Sequence, residues 1–267
     1  MSELAYSTVI SPNDQMWASG SQWYFDVGRS AMDCISMALA AAHIEPQSIL
    51  DLPCGHGRVC RMLRAAYPSA LLSVCDLDRD GVDFCAREFG AEAIYSSEDL
   101  RTVAAGRTFD LIWCGSLFTH LDKDRWGEFL EFFADRLAPN GVFVFTTHGR
   151  QPIQWMQENF YNYGLTRSEQ QALVEGYTER GFGFVAPANQ IFGVSLSSVA
   201  FACTELERCP SLKLVGVYEH AWAGHQDVFC CQRLSRAYPT RRTLRDSGPE
   251  ATSVVLRHAV PPPPDRP

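Results

Sequence analysis

One segment constrains the fold of this chain more than any other, because a β-type run turns through two glycines directly into a helical pattern. The run covers residues 49–52 (ILDL), the turn covers residues 53–57 (PCGHG), and the helical pattern begins at Arg58. Two glycines let a ligand approach the backbone closely, and the start of the helix offers unpaired N–H groups. The segment therefore predicts a ligand-binding turn at the carboxyl end of a parallel strand.

The regions around this segment alternate short apolar runs with helical periodicity, which predicts βαβ units and a parallel sheet. Asp122 is expected to cap a helix that residues 139–141 (PNG) end. Further helices are expected over residues 29–42, 58–66 and 198–209. The β-type runs cover residues 48–52, 70–75, 92–95, 109–113, 141–147, 212–218 and 227–232.

Composition excludes several classes of protein. The 267 residues carry a net charge of -8, which disfavours a nucleic-acid partner. No apolar stretch approaches the roughly 18 residues of a membrane span, and the first residues lack the layout of a signal peptide. Ten cysteines without a CxxC pattern indicate free thiols in a reducing compartment, so we expect a cytoplasmic protein.

Two segments depart from the alternation. Residues 150–195 are rich in aromatic residues and glycine, which suits either a peripheral insertion with its own small core or a mobile cap over a pocket. Residues 236–267 hold six arginines and seven of the 15 prolines, a composition typical of disorder. The expected organisation is one domain over residues 1–235, with the cap at 150–195, followed by this tail.

Two acidic residues indicate the ligand of the glycine turn. Asp76 ends the next strand, about 25 residues on, where ribose hydroxyls are bound in nucleotide folds. Asp51 directs a carboxylate at the turn, which would repel the pyrophosphate of a nicotinamide cofactor and attract a cationic amino group. Cys60 also stands where a dinucleotide turn has its third small residue. Charge thus favours S-adenosylmethionine over a dinucleotide.

These pieces together resemble a known family. Residues 49–59, 74–76, 109–116 and 137–141 look like the motif series of the class I S-adenosylmethionine-dependent methyltransferases, in order and at plausible spacings. The small-molecule branch is the most similar, through residues 117–121 (LFTHL) and 147–149 (THG). The resemblance covers about residues 28–235. It implies an α/β, Rossmann-like sheet of seven strands in the order 3-2-1-4-5-7-6, with strand 7 antiparallel.

The resemblance also implies the residues that hold the cofactor. Asp51 and the glycines would surround the methionine part, Asp76 the ribose, and Leu77 the adenine face. Ser97 or Glu98 would lie near the adenine amino group. Pro53 is a departure, since the family often has glycine there, and it removes one backbone N–H. The full expected set is Asp51, Pro53, Cys54, Gly55, Gly57, Arg58, Asp76, Leu77, Ser97, Glu98, Cys114, Gly115 and Ser116.

Three histidines are candidate catalytic residues. Methyl transfer from a hydroxyl needs a group that removes its proton, and histidine has a suitable pKa. His120, His148 and His225 all follow strand ends at one rim of the sheet, and His148 is the first choice. A metal held by these histidines is the other interpretation of the same residues. Their wide separation in the sequence gives no local ligand spacing, so no metal is expected.

The acceptor is expected to be a small molecule. Residues 114–117 (CGSL) differ from the Asn/Asp-Pro-Pro-aromatic run of enzymes that methylate nucleic-acid bases. A hydroxyl on a sugar, a glycolipid precursor or a secondary metabolite fits best, and the expected activity is O-methylation. Two alternatives stay open: a catalytically silent cofactor-binding or interaction protein, and a nicotinamide-dependent oxidoreductase on a similar sheet.

Overall fold

A computed structural model describes residues 5–17, 21–103, 106–188 and 192–235. The predicted tail, residues 236–267, lies outside the described residues. Within the described ranges, no helix has the length and apolar character that crossing a bilayer requires. The helices are α1 (Gln22–Ala42), α2 (Cys60–Ala66), α3 (Arg79–Phe89), α4 (Trp126–Arg136), α5 (Arg150–Gln157), α6 (Arg167–Arg180) and α7 (Val199–Leu206). The strands are β1 (Ser48–Asp51), β2 (Leu71–Asp76), β3 (Glu92–Tyr95), β4 (Phe109–Cys114), β5 (Leu137–Thr147), β6 (Phe182–Val185), β7 (Val194–Ser197), β8 (Leu212–Trp222) and β9 (Gln226–Arg233).

Seven strands form one sheet in the order β3-β2-β1-β4-β5-β9-β8. The pairs from β3 to β5 are parallel, whereas β9 runs antiparallel to both of its neighbours. Within this sheet β8 and β9 are the sixth and seventh strands in chain order. The expected order 3-2-1-4-5-7-6, with the seventh strand antiparallel, is therefore confirmed.

Apolar residues cover both faces of the sheet. Because successive side chains of a strand point to opposite faces, Ile49 and Leu111 join one core cluster while Leu50 and Ile112 join the other. The first cluster contains the buried faces of α1, α2 and α3, and the second contains those of α4 and α7. Burial on both faces explains why these strands read as continuous apolar runs.

Element boundaries differ from the sequence prediction at several places. The first helix begins at Gln22 rather than Arg29, because the Ser21 side chain accepts a hydrogen bond from the Trp23 N–H and caps it. Asp122 caps a short 3-10 helix that leads into α4, as predicted in kind. Residues 139–141 do not end α4, which stops at Arg136; they lie within β5, where the pairing with β4 shifts register.

Residues 150–195 contain α5, α6 and a two-stranded antiparallel sheet of β6 and β7. The sequence predicted a helical segment and missed this hairpin. Its small core consists of Met156, Leu165, Leu173, Val194 and Leu196. Gly183 is required where β6 meets α6, since an added Cβ would lie 1.9 Å from the carbonyl oxygen of Leu173. The segment therefore packs as a satellite unit around its own core.

The topology brings the carboxyl ends of three strands together at one rim of the sheet. β1, β4 and β5 end at Asp51, Cys114 and Thr147, and all three strands are parallel neighbours. Because β9 is antiparallel to β5, the β8–β9 turn returns to the same rim, where Thr147 pairs with Asp227. Ligands of open α/β sheets bind outside this carboxyl rim.

Candidate active site

The glycine turn after β1 is held by backbone geometry that only glycine adopts easily. Gly55 has φ +48° and Gly57 has φ +83°. An added Cβ at Gly57 would lie 2.3 Å from the Phe89 ring, whereas one at Gly55 would meet nothing within 4 Å. Gly57 therefore faces the protein, and Gly55 faces the open space that a ligand would fill.

A cavity of about 1040 Å³ opens over this turn. Eleven of the thirteen predicted cofactor residues line it, and the two that do not are Gly57 and Cys114. Cys114 is fully buried in the core that contains α4, so it contributes to the rim through packing alone. The cavity also takes in part of the rim that the sequence assigned to the acceptor, through Leu117 and His120.

Asp51 carries the sharpest electrostatic signal in this cavity. Its side chain is 1% exposed, and neither carboxylate oxygen has a hydrogen-bond partner within the described residues. Burial raises the pKa of Asp51 well above its usual value, the neighbouring Cys85 and Asp76 raise it further, and Arg58 opposes them. A buried carboxylate without a partner is costly, so the site fits a ligand that brings a cationic group.

Asp76 closes the other side of the glycine turn. One carboxylate oxygen accepts the Gly55 N–H at 2.8 Å, and the other accepts the Asp78 N–H at 3.0 Å. Burial raises the pKa of Asp76, against the effect of these backbone N–H groups. Each oxygen retains a second lone pair, so Asp76 can still accept hydrogen bonds from ligand hydroxyls.

Ser116 is held at the cavity wall by a ring of hydrogen bonds. Its N–H donates to Thr146 Oγ1 at 2.8 Å, the Thr146 hydroxyl donates to Gln226 Oε1 at 2.6 Å, and Gln226 Nε2 donates to Ser116 Oγ at 2.8 Å. Ser116 has φ +63°, a left-handed conformation that is uncommon for serine. The ring joins the ends of β4, β5 and β9 around the residue next to Gly115.

His120 is the candidate catalytic histidine that lines the cavity. Its Nδ1 lies 2.7 Å from the Gly193 carbonyl oxygen, which can only accept, so Nδ1 carries the hydrogen and Nε2 carries the lone pair. Burial lowers the pKa of His120 below 6.5. The ring is therefore neutral near pH 7, with Nε2 as its basic nitrogen.

His148 and His225 do not line the cavity. They lie beneath residues 150–195, where the His148 ring is 5.1 Å from the His225 ring and 5.0 Å from Tyr163. His225 Nε2 is 2.7 Å from the Tyr163 hydroxyl, and its ring stacks on Trp155 at 4.5 Å. Burial lowers the pKa of His148 well below 6.5 and that of His225 to about 4. Their catalytic roles stay predictions.

Several cavity residues were not predicted from the sequence. Asp14 and Met16 precede α1, and Phe192 precedes β7. The sequence analysis had no signal for them, because no motif places a loop residue against a distant turn. The Tyr24 hydroxyl donates to Asp14 at 2.6 Å, so this buried tyrosine holds a residue of the cavity wall.

One group of side chains has the composition of a metal site. Within the described residues, ligand atoms of Glu219, His220 and Asp227 lie within 4.8 Å of one another. Arg150 Nε already donates to Glu219 at 2.9 Å, and Asp227 accepts the His220 backbone N–H at 2.9 Å. These contacts account for the carboxylates, and none of the three residues lines the large cavity.

Comparison with known families supports the assignment of this fold and of the glycine turn. Residues 49–141 match the family described as "Methyltransferase domain". Over this span the chain resembles a methyltransferase domain. The matched span includes the glycine turn, Asp76 and the end of β4, so it contains all thirteen cofactor residues predicted from the sequence. The buried carboxylate of Asp51 fits the cationic amino group of S-adenosylmethionine, the cofactor that the class I resemblance implies.

Two curated methyltransferases are similar to parts of the chain. The malonyl-[acyl-carrier protein] O-methyltransferase of Halalkalibacterium halodurans is 25% identical over 122 residues, 43% of this chain and 44% of the relative. The fatty-acid O-methyltransferase of Mycolicibacterium smegmatis is 25% identical over 182 residues, 61% of this chain and 64% of the relative. The chain thus spans less than two thirds of the length of either relative.

Solved structures of this methyltransferase fold are similar in architecture. An S-adenosylmethionine-dependent methyltransferase from Clostridium acetobutylicum aligns with a TM-score of 0.55 at 14% sequence identity. The alignment covers 78% of this chain and 92% of that structure. At this level of identity the likeness concerns the fold.

Proposed function

We propose that the protein transfers the methyl group of S-adenosylmethionine to an oxygen atom of a small molecule. The observation that carries this proposal is the unpartnered, buried carboxylate of Asp51 in a large cavity beside the Gly55 turn. A pyrophosphate would be repelled there, which argues against the nicotinamide alternative. A cationic amino group supplies the positively charged partner that the Asp51 carboxylate lacks.

The cavity residues divide into cofactor and acceptor sides in this proposal. Asp51 holds the amino group, Asp76 accepts the ribose hydroxyls, Leu77 packs on adenine, and Ser97 or Glu98 contacts the adenine amino group. Bound S-adenosylmethionine supplies an activated methyl group for in-line displacement. Gly115 and Ser116 lie beside the methionine part, so the acceptor side begins at Leu117 and His120.

His120 is the group that we assign to the acceptor proton. Its Nε2 lone pair is set by the Nδ1 contact with Gly193, and its ring lies at the cavity wall. A hydroxyl acceptor loses its proton to this nitrogen as the oxygen attacks the methyl group. Leu117, Leu121 and Phe192 make this side of the cavity apolar, which suits a secondary metabolite or a glycolipid precursor with a hydrocarbon part.

Residues 150–195 form a cover on the acceptor side in this proposal. Phe192 lines the cavity and Gly193 holds His120. Backbone hydrogen bonds also join Ser195 N–H to Thr119 O and Ser197 N–H to His148 O, each at 2.8 Å. The segment is therefore attached to the same rim as the candidate base, and its movement would change access to His120.

A carboxylate acceptor is a second candidate. The two curated relatives are named for O-methylation of malonyl-[acyl-carrier protein] and of a fatty acid, and both names denote acceptors with carboxyl groups. A carboxylate is already ionised near pH 7, so its methylation requires no base. His120 would then be dispensable for the proton and would act only in positioning.

The two candidates are separated by a matched pair of acceptors. Methyl-labelled S-adenosylmethionine is incubated with octan-1-ol or with octanoic acid, and the ether or ester product is measured by mass. Ether formation that falls with His120→Gln supports the hydroxyl proposal, and ester formation that is unaffected by it supports the carboxylate candidate. Cofactor binding without methyl transfer to these probes or to a wider panel of alcohols and acids would favour the silent alternative.

A further inference from the structure

Three cysteine thiols lie directly beneath the glycine turn. Cys54 precedes Gly55, Cys60 begins α2, and Cys85 lies in α3. The sulfurs of Cys54 and Cys85 lie 3.4 Å and 3.6 Å from the same atom, the carbonyl oxygen of Gly55. The thiols of Cys54 and Cys60 are also the groups that lower the pKa of Cys85 most. The thiols of Cys54 and Cys85 therefore lie on the same carbonyl group, close to each other.

The surroundings of Cys85 favour its thiolate form. Hydrogen bonds from Cys54 and then from Cys60 lower the pKa of Cys85 to about 5, with help from the charges of His56 and Arg61 and against burial. The same contact and burial raise the pKa of Cys54. Because the thiolate is the reactive form of cysteine, the contact between Cys54 and Cys85 contains a nucleophile.

The cavity gives a small oxidant access to this cluster. Cys54 is 6% exposed and lines the cavity, whereas Cys85 is fully buried behind it. Cys60 is also fully buried and does not line the cavity. Cys54 is thus the thiol of the three that a molecule as small as hydrogen peroxide meets first.

We propose that Cys54 and Cys85 are a redox-sensitive pair, which hydrogen peroxide converts into a disulfide beneath the glycine turn. The Cys54 proton moves to Cys85, and the Cys54 thiolate attacks peroxide to give a sulfenic acid and hydroxide, which takes the proton from Cys85. The Cys85 thiolate then attacks the Cys54 sulfur and releases a second hydroxide. The two sulfurs lose two electrons in total, and the O–O bond of peroxide accepts them.

The disulfide is expected to weaken cofactor binding. A disulfide draws its sulfurs closer together than two thiols that share one hydrogen-bond acceptor. The glycine turn already packs tightly against α3, because an added Cβ at Gly81 would lie 2.4 Å from the Gly55 carbonyl oxygen. The turn itself must therefore move, and by linkage a bound cofactor must oppose oxidation. This consequence rests on the proposed function, whereas the formation of the disulfide does not.

Peroxide treatment of the whole chain tests the proposal directly. Reduced protein is treated with hydrogen peroxide with and without S-adenosylhomocysteine, and disulfide-linked peptides are mapped by mass spectrometry without reduction. We expect a Cys54–Cys85 link, roughly tenfold weaker binding of S-adenosylhomocysteine, recovery with dithiothreitol, and slower oxidation in the presence of the ligand. A Cys54–Cys60 link, or reduced Cys54 and Cys85 after treatment, would overturn the proposal.

Matched variants assign the effect to this pair. Cys85→Ser is expected to bind S-adenosylhomocysteine normally, and peroxide should no longer weaken its binding. Cys34 is a buried thiol of α1 away from the turn, so Cys34→Ser should still lose affinity on peroxide treatment. If Cys85→Ser does not fold, Cys85→Ala serves, and the peptide map of the unaltered protein decides the question alone. Reduced protein that does not bind S-adenosylhomocysteine would contradict the proposed function but leave the peptide map to judge the disulfide.

Discussion

The carbonyl oxygen of Gly193 lies 2.7 Å from Nδ1 of His120, so a residue of the 150–195 segment sets the tautomer of a histidine after β4. If His120 removes a hydroxyl proton, His120→Gln lowers turnover of the alcohol by about 10² to 10⁴ and leaves S-adenosylhomocysteine binding unchanged. Steady-state rates measure the turnover, and titration calorimetry measures the binding of S-adenosylhomocysteine. His148→Gln is the comparison, and a larger loss of turnover there, at unchanged stability, would return the role to His148.

Binding of the cofactor should release a proton from Asp51. Burial raises the pKa of this carboxyl in the free protein, whereas a bound amino group favours its ionised form. The free state then holds more protons than the bound state, so affinity rises as pH rises through the raised pKa. Calorimetry at a series of pH values, in two buffers with different ionisation heats, measures the release, and equal heats in both buffers at every pH would contradict it.

Acid should weaken the fold through the two packed histidines. The pKa of His225 is about 4 in the folded state against 6.5 ordinarily, and that of His148 is also lowered. Between these values the unfolded chain binds more protons, so this contribution is complete above about pH 6.5 and is lost toward pH 4. Urea unfolding at several pH values gives the free energy of unfolding as a function of pH. This free energy should fall less steeply toward acid pH in His225→Gln than in the unaltered protein. The exposed His43→Asn serves as the control, and an unchanged slope in His225→Gln would count against the account.

The two glycines of the turn should respond differently to alanine. Both require positive φ, which costs about 1 kcal/mol for alanine. Gly57→Ala adds the clash with Phe89, so its loss of stability should reach roughly 2 kcal/mol or more. Gly55→Ala should stay folded and lose affinity for S-adenosylhomocysteine, because its methyl group projects into open space. Equal losses of stability, with normal binding by Gly55→Ala, would contradict this division.

The sequence predicted the sheet and the cofactor side of the site because their signals are local. The turn that carries Gly55 and Gly57 is recognisable from a few consecutive residues, and Asp76 follows at the end of the next strand. The acceptor side depends on contacts between distant segments. Nothing local distinguishes His120 at the cavity wall from His148 beneath residues 150–195, since each simply follows a strand. The β6–β7 hairpin was missed for a similar reason, as its short strands gain their stability from packing against α6.

The central claim is that Asp51 recognises the cationic end of S-adenosylmethionine, and titration calorimetry with S-adenosylhomocysteine tests it most directly. The unaltered protein and the exposed-residue control Asp33→Asn should bind the ligand equally. Asp51→Asn should bind it roughly 10 to 100 times more weakly, because it loses a charge-assisted hydrogen bond of about 1.5 to 3 kcal/mol. NAD should bind to none of the three proteins. Binding of NAD in place of S-adenosylhomocysteine, or unchanged affinity in Asp51→Asn, would contradict the account.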